Sequence, residues 1–158
     1  MTELPMFPLG TVLFPSVFLP LHIFEPRYRR LARQCVDGDQ EFGVVLIERG
    51  SEVGGGDVRT SVGTVARILE AVELDDGRWV LGTVGTRRIR VREWLSDDPY
   101  PRADVEDWHD RVPSADAVEH YEVVRARLRR VLALKAELAE PAADATIELA
   151  ERDRATIR

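Results

Sequence analysis

The chain has almost no lysine. Of its 22 basic residues only Lys135 is a lysine. A P-loop needs a Gly-Lys-Ser/Thr turn whose lysine reaches the nucleotide phosphates, and no Gly-Lys pair occurs in the sequence, which excludes an ATPase of that type. A serine–lysine peptidase would have to use Lys135 as its base, and Lys135 sits in an Ala/Leu/Glu-rich stretch with no serine beside it. Cysteine is equally scarce. Cys35 alone can form neither an intrachain disulfide nor a thiolate metal cage. The three histidines, His22, His109 and His120, lack the close spacing of metal ligands on one helix, so no metal and no cofactor are expected. No apolar run approaches a membrane span, and the N-terminus carries Glu3 and prolines where a signal peptide has a basic region and an apolar core. A cytoplasmic protein without a catalytic residue set is the expectation.

What the chain does have is a proline-punctuated apolar stretch from Phe7 to Tyr28, containing Pro8, Pro15, Pro20 and Pro26. Proline fixes φ and removes a backbone donor. The stretch therefore reads as short extended pieces and turns, none of them a central strand or a helix interior. Pro26 suits the first position of a helix, with Glu25 just before it at the positive end of the helix dipole. Tyr28, Leu31, Ala32 and Cys35 then recur at helical spacing and predict one buried stripe. Asp37-Gly38-Asp39 ends that helix, with Gly38 at the position that favours left-handed backbone. Phe42–Ile47 reads as a buried strand. Glu48–Thr60 reads as a surface loop around Gly54-Gly55-Gly56. Val62–Leu74 and Trp79–Trp94 read as long strands joined by a turn at Asp75-Asp76-Gly77-Arg78. Gly82 and Gly85 signal bends or bulges, as in a small barrel. Tyr100–Glu106 offers a further strand, placed at an edge because of Pro101.

The composition, 44% hydrophobic and 32% charged residues over 158 positions, allows one ordinary domain with a helical appendage. The boundary is placed at residues 112 and 113: a β-rich unit over 1–112 and an α-helical segment over 113–158. Ser114 is a good N-cap, and Tyr121, Val124, Leu128, Val131, Leu132 and Leu138 keep helical spacing up to Pro141. A weaker helix is expected from Ala142. The apolar face is poorly filled, which points to a truncated C-terminal end or to a partner there. The predicted core comprises Phe7, Val12, Leu13, Phe14, Leu19, Ile23, Phe24, Tyr28, Leu31, Val44, Leu46, Val65, Ile68, Val80, Leu81, Ile89 and Val91.

The run Phe7-Pro8-Leu9 … Val12-Leu13-Phe14-Pro15 … Leu19-Pro20-Leu21-His22-Ile23-Phe24-Glu25-Pro26-Arg27-Tyr28 resembles the opening of the Lon N-terminal domain family. The likeness continues at Phe42-Gly43-Val44-Val45, Val62-Gly63-Thr64-Val65-Ala66-Arg67-Ile68, Gly85-Thr86-Arg87-Arg88-Ile89 and Tyr100-Pro101-Arg102-Ala103. The resemblance implies an α+β fold: a small PUA-like antiparallel β-barrel with one inserted helix, followed by a C-terminal α-helical segment. It also implies a stand-alone member without the ATPase and peptidase regions, a non-enzymatic module that binds unfolded or exposed hydrophobic polypeptide. Such a module would serve as an adaptor in proteolysis or quality control, beside a protease or chaperone. Phe18, Leu21, His22, Phe24, Glu25 and Arg27 are the candidate peptide-binding residues. His22 and the Glu25/Arg27 pair have competing structural readings, as a backbone-satisfied core or turn histidine and as an internal ion pair. A second reading makes the stripe Arg87, Arg88, Arg90 and Arg92 a PUA-like RNA surface. The net charge of −6 weighs against nucleic acid, and surface pairing with carboxylates is the plainer account of the stripe. A small-molecule pocket inside the barrel and a homodimer through the C-terminal helices complete the expectations.

Overall fold

The computed structural model describes residues 2–109 and 114–138. The chain divides into two units, Met1–Trp108 and His109–Arg158. The first is built from β1 (Thr2–Leu9), β2 (Phe18–Ile23), α1 (Pro26–Asp37), β3 (Glu41–Arg49), β4 (Val58–Glu73), β5 (Trp79–Trp94) and β6 (Arg102–Asp107). The second contributes α2 (Ala115–Glu137), with Ser114 immediately before it, Asp116 in its first turn, and Val124, Leu128 and Val131 exposed. The weaker helix expected from Ala142 lies outside the described residues.

Five strands close into a ring. β1 pairs with β3 in parallel, and β3–β4, β4–β5, β5–β6 and β6–β1 are antiparallel. β5 is long enough to serve two partners. Its second half, from Ile89 to Trp94, closes the ring against β6, while its first half, from Trp79 to Val84, carries β2 outside the ring. Among the described residues, β2 has a ladder on that side only. Two cores follow from this division. One fills the ring with Met6, Val45, Val65, Ile89, Val91 and Val105 among others. The other lies beneath α1, where Tyr28, Leu31, Ala32 and Cys35 meet Phe7, Phe42, Ile68, Trp79 and Leu81. Phe7 and Tyr28 stack there with ring centroids 4.2 Å apart.

Three expectations about proline and glycine are corrected. Pro101 does not place β6 at an edge, because it lies just before the strand and only lends its carbonyl to the Met6 N–H, at 2.8 Å. Pro8 does sit within a ring strand. β1 changes partners midway, pairing through Thr2–Pro5 with β6 and through Met6–Leu9 with β3, so Pro8 is never asked to bond on both sides. At the end of α1, Gly38 keeps a negative φ of −120°, and Gln40 takes the left-handed conformation at 59°.

Four predicted core residues are instead exposed: Val12 (51%), Phe14 (62%), Phe24 (53%) and Val80 (43%). Extended chain alternates its side chains. Leu13, Ile23, Trp79 and Leu81 turn inward, so their neighbours turn out.

Residues 10–17 are tied to the long β4–β5 hairpin. Phe14-Pro15-Ser16-Val17 forms a turn closed by the Val17 N–H on the Phe14 carbonyl at 3.2 Å, with Ser16 at φ 66°. Gly85 accepts from the Ser16 N–H at 2.8 Å and donates to the Val17 carbonyl at 2.9 Å. The buried hydroxyls of Thr64 and Thr83 donate to the carbonyls of Leu13 and Leu19, each at 2.7 Å. A Cβ on Gly85 would lie 2.2 Å from the Phe14 carbonyl oxygen. Gly85→Ala is therefore expected to cost about 1–3 kcal/mol, the usual range for overpacking, read as a lower midpoint in urea unfolding. An unchanged midpoint would mean that the segment can lift off β5 freely.

Candidate peptide-binding groove

β2 alternates along its length. Leu19 and Leu21 are half-buried and Ile23 buried, while Phe18, Pro20 and His22 face outward. Its main chain alternates as well. The Val17 and Leu19 carbonyls both accept from β5, which turns the backbone groups of Phe18, Pro20 and His22 to the side without a ladder. Pro20 removes one donor from that open edge, which blunts it against indiscriminate strand pairing while its carbonyl stays available.

Beside this edge lies a groove of about 230 Å³. Phe7, Leu9, Ile23 and Tyr28 contribute its buried lining, and Pro20, Leu21, His22, Phe24 and Glu25 its strand side. Glu52 and Val53 form the opposite wall. The groove thus gathers four of the six sequence-predicted residues: Leu21, His22, Phe24 and Glu25. The other two stand apart from it. Phe18 is exposed and its ring covers Gly82, where an added Cβ would come within 3.3 Å of it. Arg27 pairs with Glu25 at 3.2 Å, lies 4.5 Å from the Tyr28 ring centroid, and donates to the Glu52 carbonyl at 3.3 Å. It holds the groove's walls together and does not line it. His22 is exposed beside the Phe24 ring, 6.5 Å between centroids, so of the core and turn alternatives in its structural reading it is not a core histidine.

The glycine-rich stretch, expected to be a surface loop, contributes a wall of the groove. Between β3 and β4 it folds back so that the Glu52 carboxylate accepts from the Gly10 N–H. Gly55, at φ 80°, passes the Arg27 guanidinium so closely that a Cβ would sit 3.1 Å from it. The loop ends in an ionic cluster whose Asp57 and Arg59 side chains are largely buried and whose Asp97 is exposed. Arg59 bonds Asp57 and Asp97, each at 2.6 Å, with its guanidinium 4.7 Å from the Trp94 ring centroid. Burial works against the Asp57 charge, but hydrogen bonds from Arg59 and its own backbone outweigh it and hold the carboxyl below the usual range. The only signal for this wall was the Asp57/Arg59 pair at β-strand spacing.

The arginine stripe is met by acids and an aromatic ring. Arg87 bridges Glu41 at 2.7 Å and Asp107 at 3.0 Å, and Arg92 pairs with Glu106 at 3.2 Å. Arg88 and Arg90 lie 5.5 and 4.2 Å from the Trp108 ring centroid. Cys35 is buried, and burial followed by the nearby Asp39 pushes its thiol up to about 12, so it is not a nucleophile near neutral pH. Among the described residues, no cluster of His, Cys, Asp and Glu could hold a metal, and no helix is long and apolar enough to cross a membrane.

Comparison with known proteins bears on the family and the fold. The model of the ATP-dependent protease La (LON) substrate-binding domain matches residues 3–155. The Lon protease of Cytophaga hutchinsonii is 30% identical over 145 residues, 88% of this chain and 18% of the protease. Lon protease 2 of Myxococcus xanthus is 34% identical over 140 residues, 85% of this chain and 17% of the protease. The chain thus spans less than a fifth of the length of these relatives. The crystal structure of a Lon N-terminal domain protein from Xanthomonas campestris superposes with a TM-score of 0.64 at 31% identity, covering 99% of this chain and 89% of that one.

The Asp57–Arg59 cluster predicts an acid dependence. Because the folded carboxyl titrates below its unfolded value of about 3.9, its stabilisation is complete above that pH and is lost as pH falls through the folded value. Asp57→Asn is expected to cost about 1.5–3 kcal/mol near neutrality, since Arg59 keeps Asp97, and to flatten the stability profile below about pH 4. Urea midpoints across pH check both.

Proposed function

The chain belongs to the Lon substrate-binding domain family, and from that premise we propose that it binds unfolded or exposed hydrophobic polypeptide at the β2 edge and the adjoining groove. The carrying observation is that apolar side chains surround an unpaired strand edge. Phe18 and Phe24 are exposed on and just after β2, Val80 is exposed on the adjoining β5 and Phe14 in the turn before β2, and the groove has an apolar lining. An extended peptide would add to β2 through main-chain hydrogen bonds and seat one large apolar side chain in the groove. Main-chain bonding tolerates many sequences, and an apolar pocket selects stretches that a folded client would keep buried. The groove has no nucleophile–base pair, so binding and presentation are the chemistry it supports. In this reading the protein works as an adaptor that hands clients to a protease or chaperone. The RNA reading has less support, since Arg87 and Arg92 are already engaged by carboxylates.

Phe18→Ser with Phe24→Ser is expected to weaken binding of a permanently unfolded protein about tenfold or more, with little change in thermal midpoint because both rings are exposed. Arg88→Glu with Arg90→Glu should leave that affinity in place. Fluorescence anisotropy with a labelled unfolded client and with single-stranded RNA measures both. RNA binding that collapses in the second variant, with no client binding in either, would replace the peptide reading.

A further inference from the structure

A second groove, of about 300 Å³, lies on the other side of the β2–α1 junction. The two linings share no residue but come from neighbouring positions. Glu25 lines the first and Pro26 the second, and Ile23 of the first is the ladder partner of Trp79 in the second. Trp79 is buried to 6% exposure. Over it, α1 sets Arg29 and Arg30 in one turn and Arg33 in the next, an arginine cluster that the first groove does not use. Arg29 is steadied by the Asp76 carbonyl at 3.1 Å, beside Gly77. Arg33 pairs with Glu73 and lies 5.6 Å from the Trp79 ring centroid. Arg30 is exposed and makes no ion pair among the described residues. Three guanidinium groups against the single Glu73 carboxylate leave this lining cationic on a chain whose net charge is −6.

Resting on the proposed peptide-binding reading, we propose that this arginine cradle binds acidic side chains of the same client, so that the module prefers an apolar residue flanked by Asp or Glu. The apolar anchor enters the first groove, and carboxylates a few residues along reach Arg29, Arg30 and Arg33. Two anchors on one chain add their free energies without a second association cost, and guanidinium groups suit carboxylates geometrically. The preference depends on charge and weakens with salt.

Three labelled peptides test this on the full chain by anisotropy. They share a Leu-Phe-Leu centre and carry Glu pairs, Ser pairs or Lys pairs on both flanks. The Glu-flanked peptide is expected to bind about five- to tenfold tighter than the Ser-flanked one at low salt, and the Lys-flanked one more weakly than either. Arg30→Glu, an exposed site, should erase the Glu advantage and leave the Ser-flanked affinity unchanged. Equal affinities for all three peptides, or a Glu advantage that survives Arg30→Glu and Arg33→Ala, would overturn the cradle while leaving the apolar groove standing. A Glu advantage that persists when the Leu-Phe-Leu centre is replaced by Ser would keep the cradle and overturn the groove. Binding of none of the peptides would overturn both. Single-stranded RNA that binds tighter than the Glu-flanked peptide and is lost in Arg30→Glu would assign the cradle to phosphate instead.

Discussion

The candidate site depends on the contact at Gly85. Its missing side chain lets the Phe14 carbonyl come close, and its own N–H and C=O bond both sides of the turn at Phe14–Val17. Once that turn is fixed, β2 enters at one register on the first half of β5, and every side chain that follows has its face decided. Leu19, Leu21 and Ile23 go toward the core beneath α1, and Phe18, Pro20 and His22 go out. The turn also sets where Pro26 begins α1, and α1 covers the second core. A slip of one residue along β5 would bury Phe18 and His22 and expose Ile23.

The second constraint is electrostatic. Arginine supplies all but one of the basic residues, and many guanidinium groups are committed to carboxylates or aromatic faces on neighbouring strands. Glu41 collects two of them. Burial opposes its charge, but hydrogen bonds from Arg87 and Arg67 hold its carboxyl below the usual range. Exposed pairs of this kind add little stability each. They do commit Arg87 and Arg92 of the stripe to carboxylates. The cluster at Arg29, Arg30 and Arg33 differs, because its groove lining offers only the Glu73 carboxylate against three guanidinium groups.

Much of the fold was legible in the sequence. The stripe Tyr28, Leu31, Ala32 and Cys35 is buried as its spacing requires, Pro26 opens α1, and the turn at Asp76-Gly77 joins the two long strands. The barrel and the inserted helix match what the family resemblance implied. Ring closure was less legible, because a proline before a strand and a proline within it look alike in sequence, and only the change of partner along β1 separates them. The groove was half legible. Leu21, His22, Phe24 and Glu25 come together, but the wall at Glu52 and Val53 rests on long-range contacts to Gly10 and Arg27 that leave no local pattern. The exposure of Phe14 and Phe24 was hidden for the opposite reason. An apolar residue in an apolar run reads as core, and only the register on β5 shows which alternate residues point out.

The central claim is that polypeptide binds along β2 and its groove. Amide hydrogen exchange on the full chain, with and without a saturating permanently unfolded protein, tests it most directly. Slowed exchange is expected at residues 18–25 and 50–53, with the β5–β6 pairing unaffected. Protection confined to residues 87–92 or to α2, with residues 18–25 unchanged in the bound state, would contradict it.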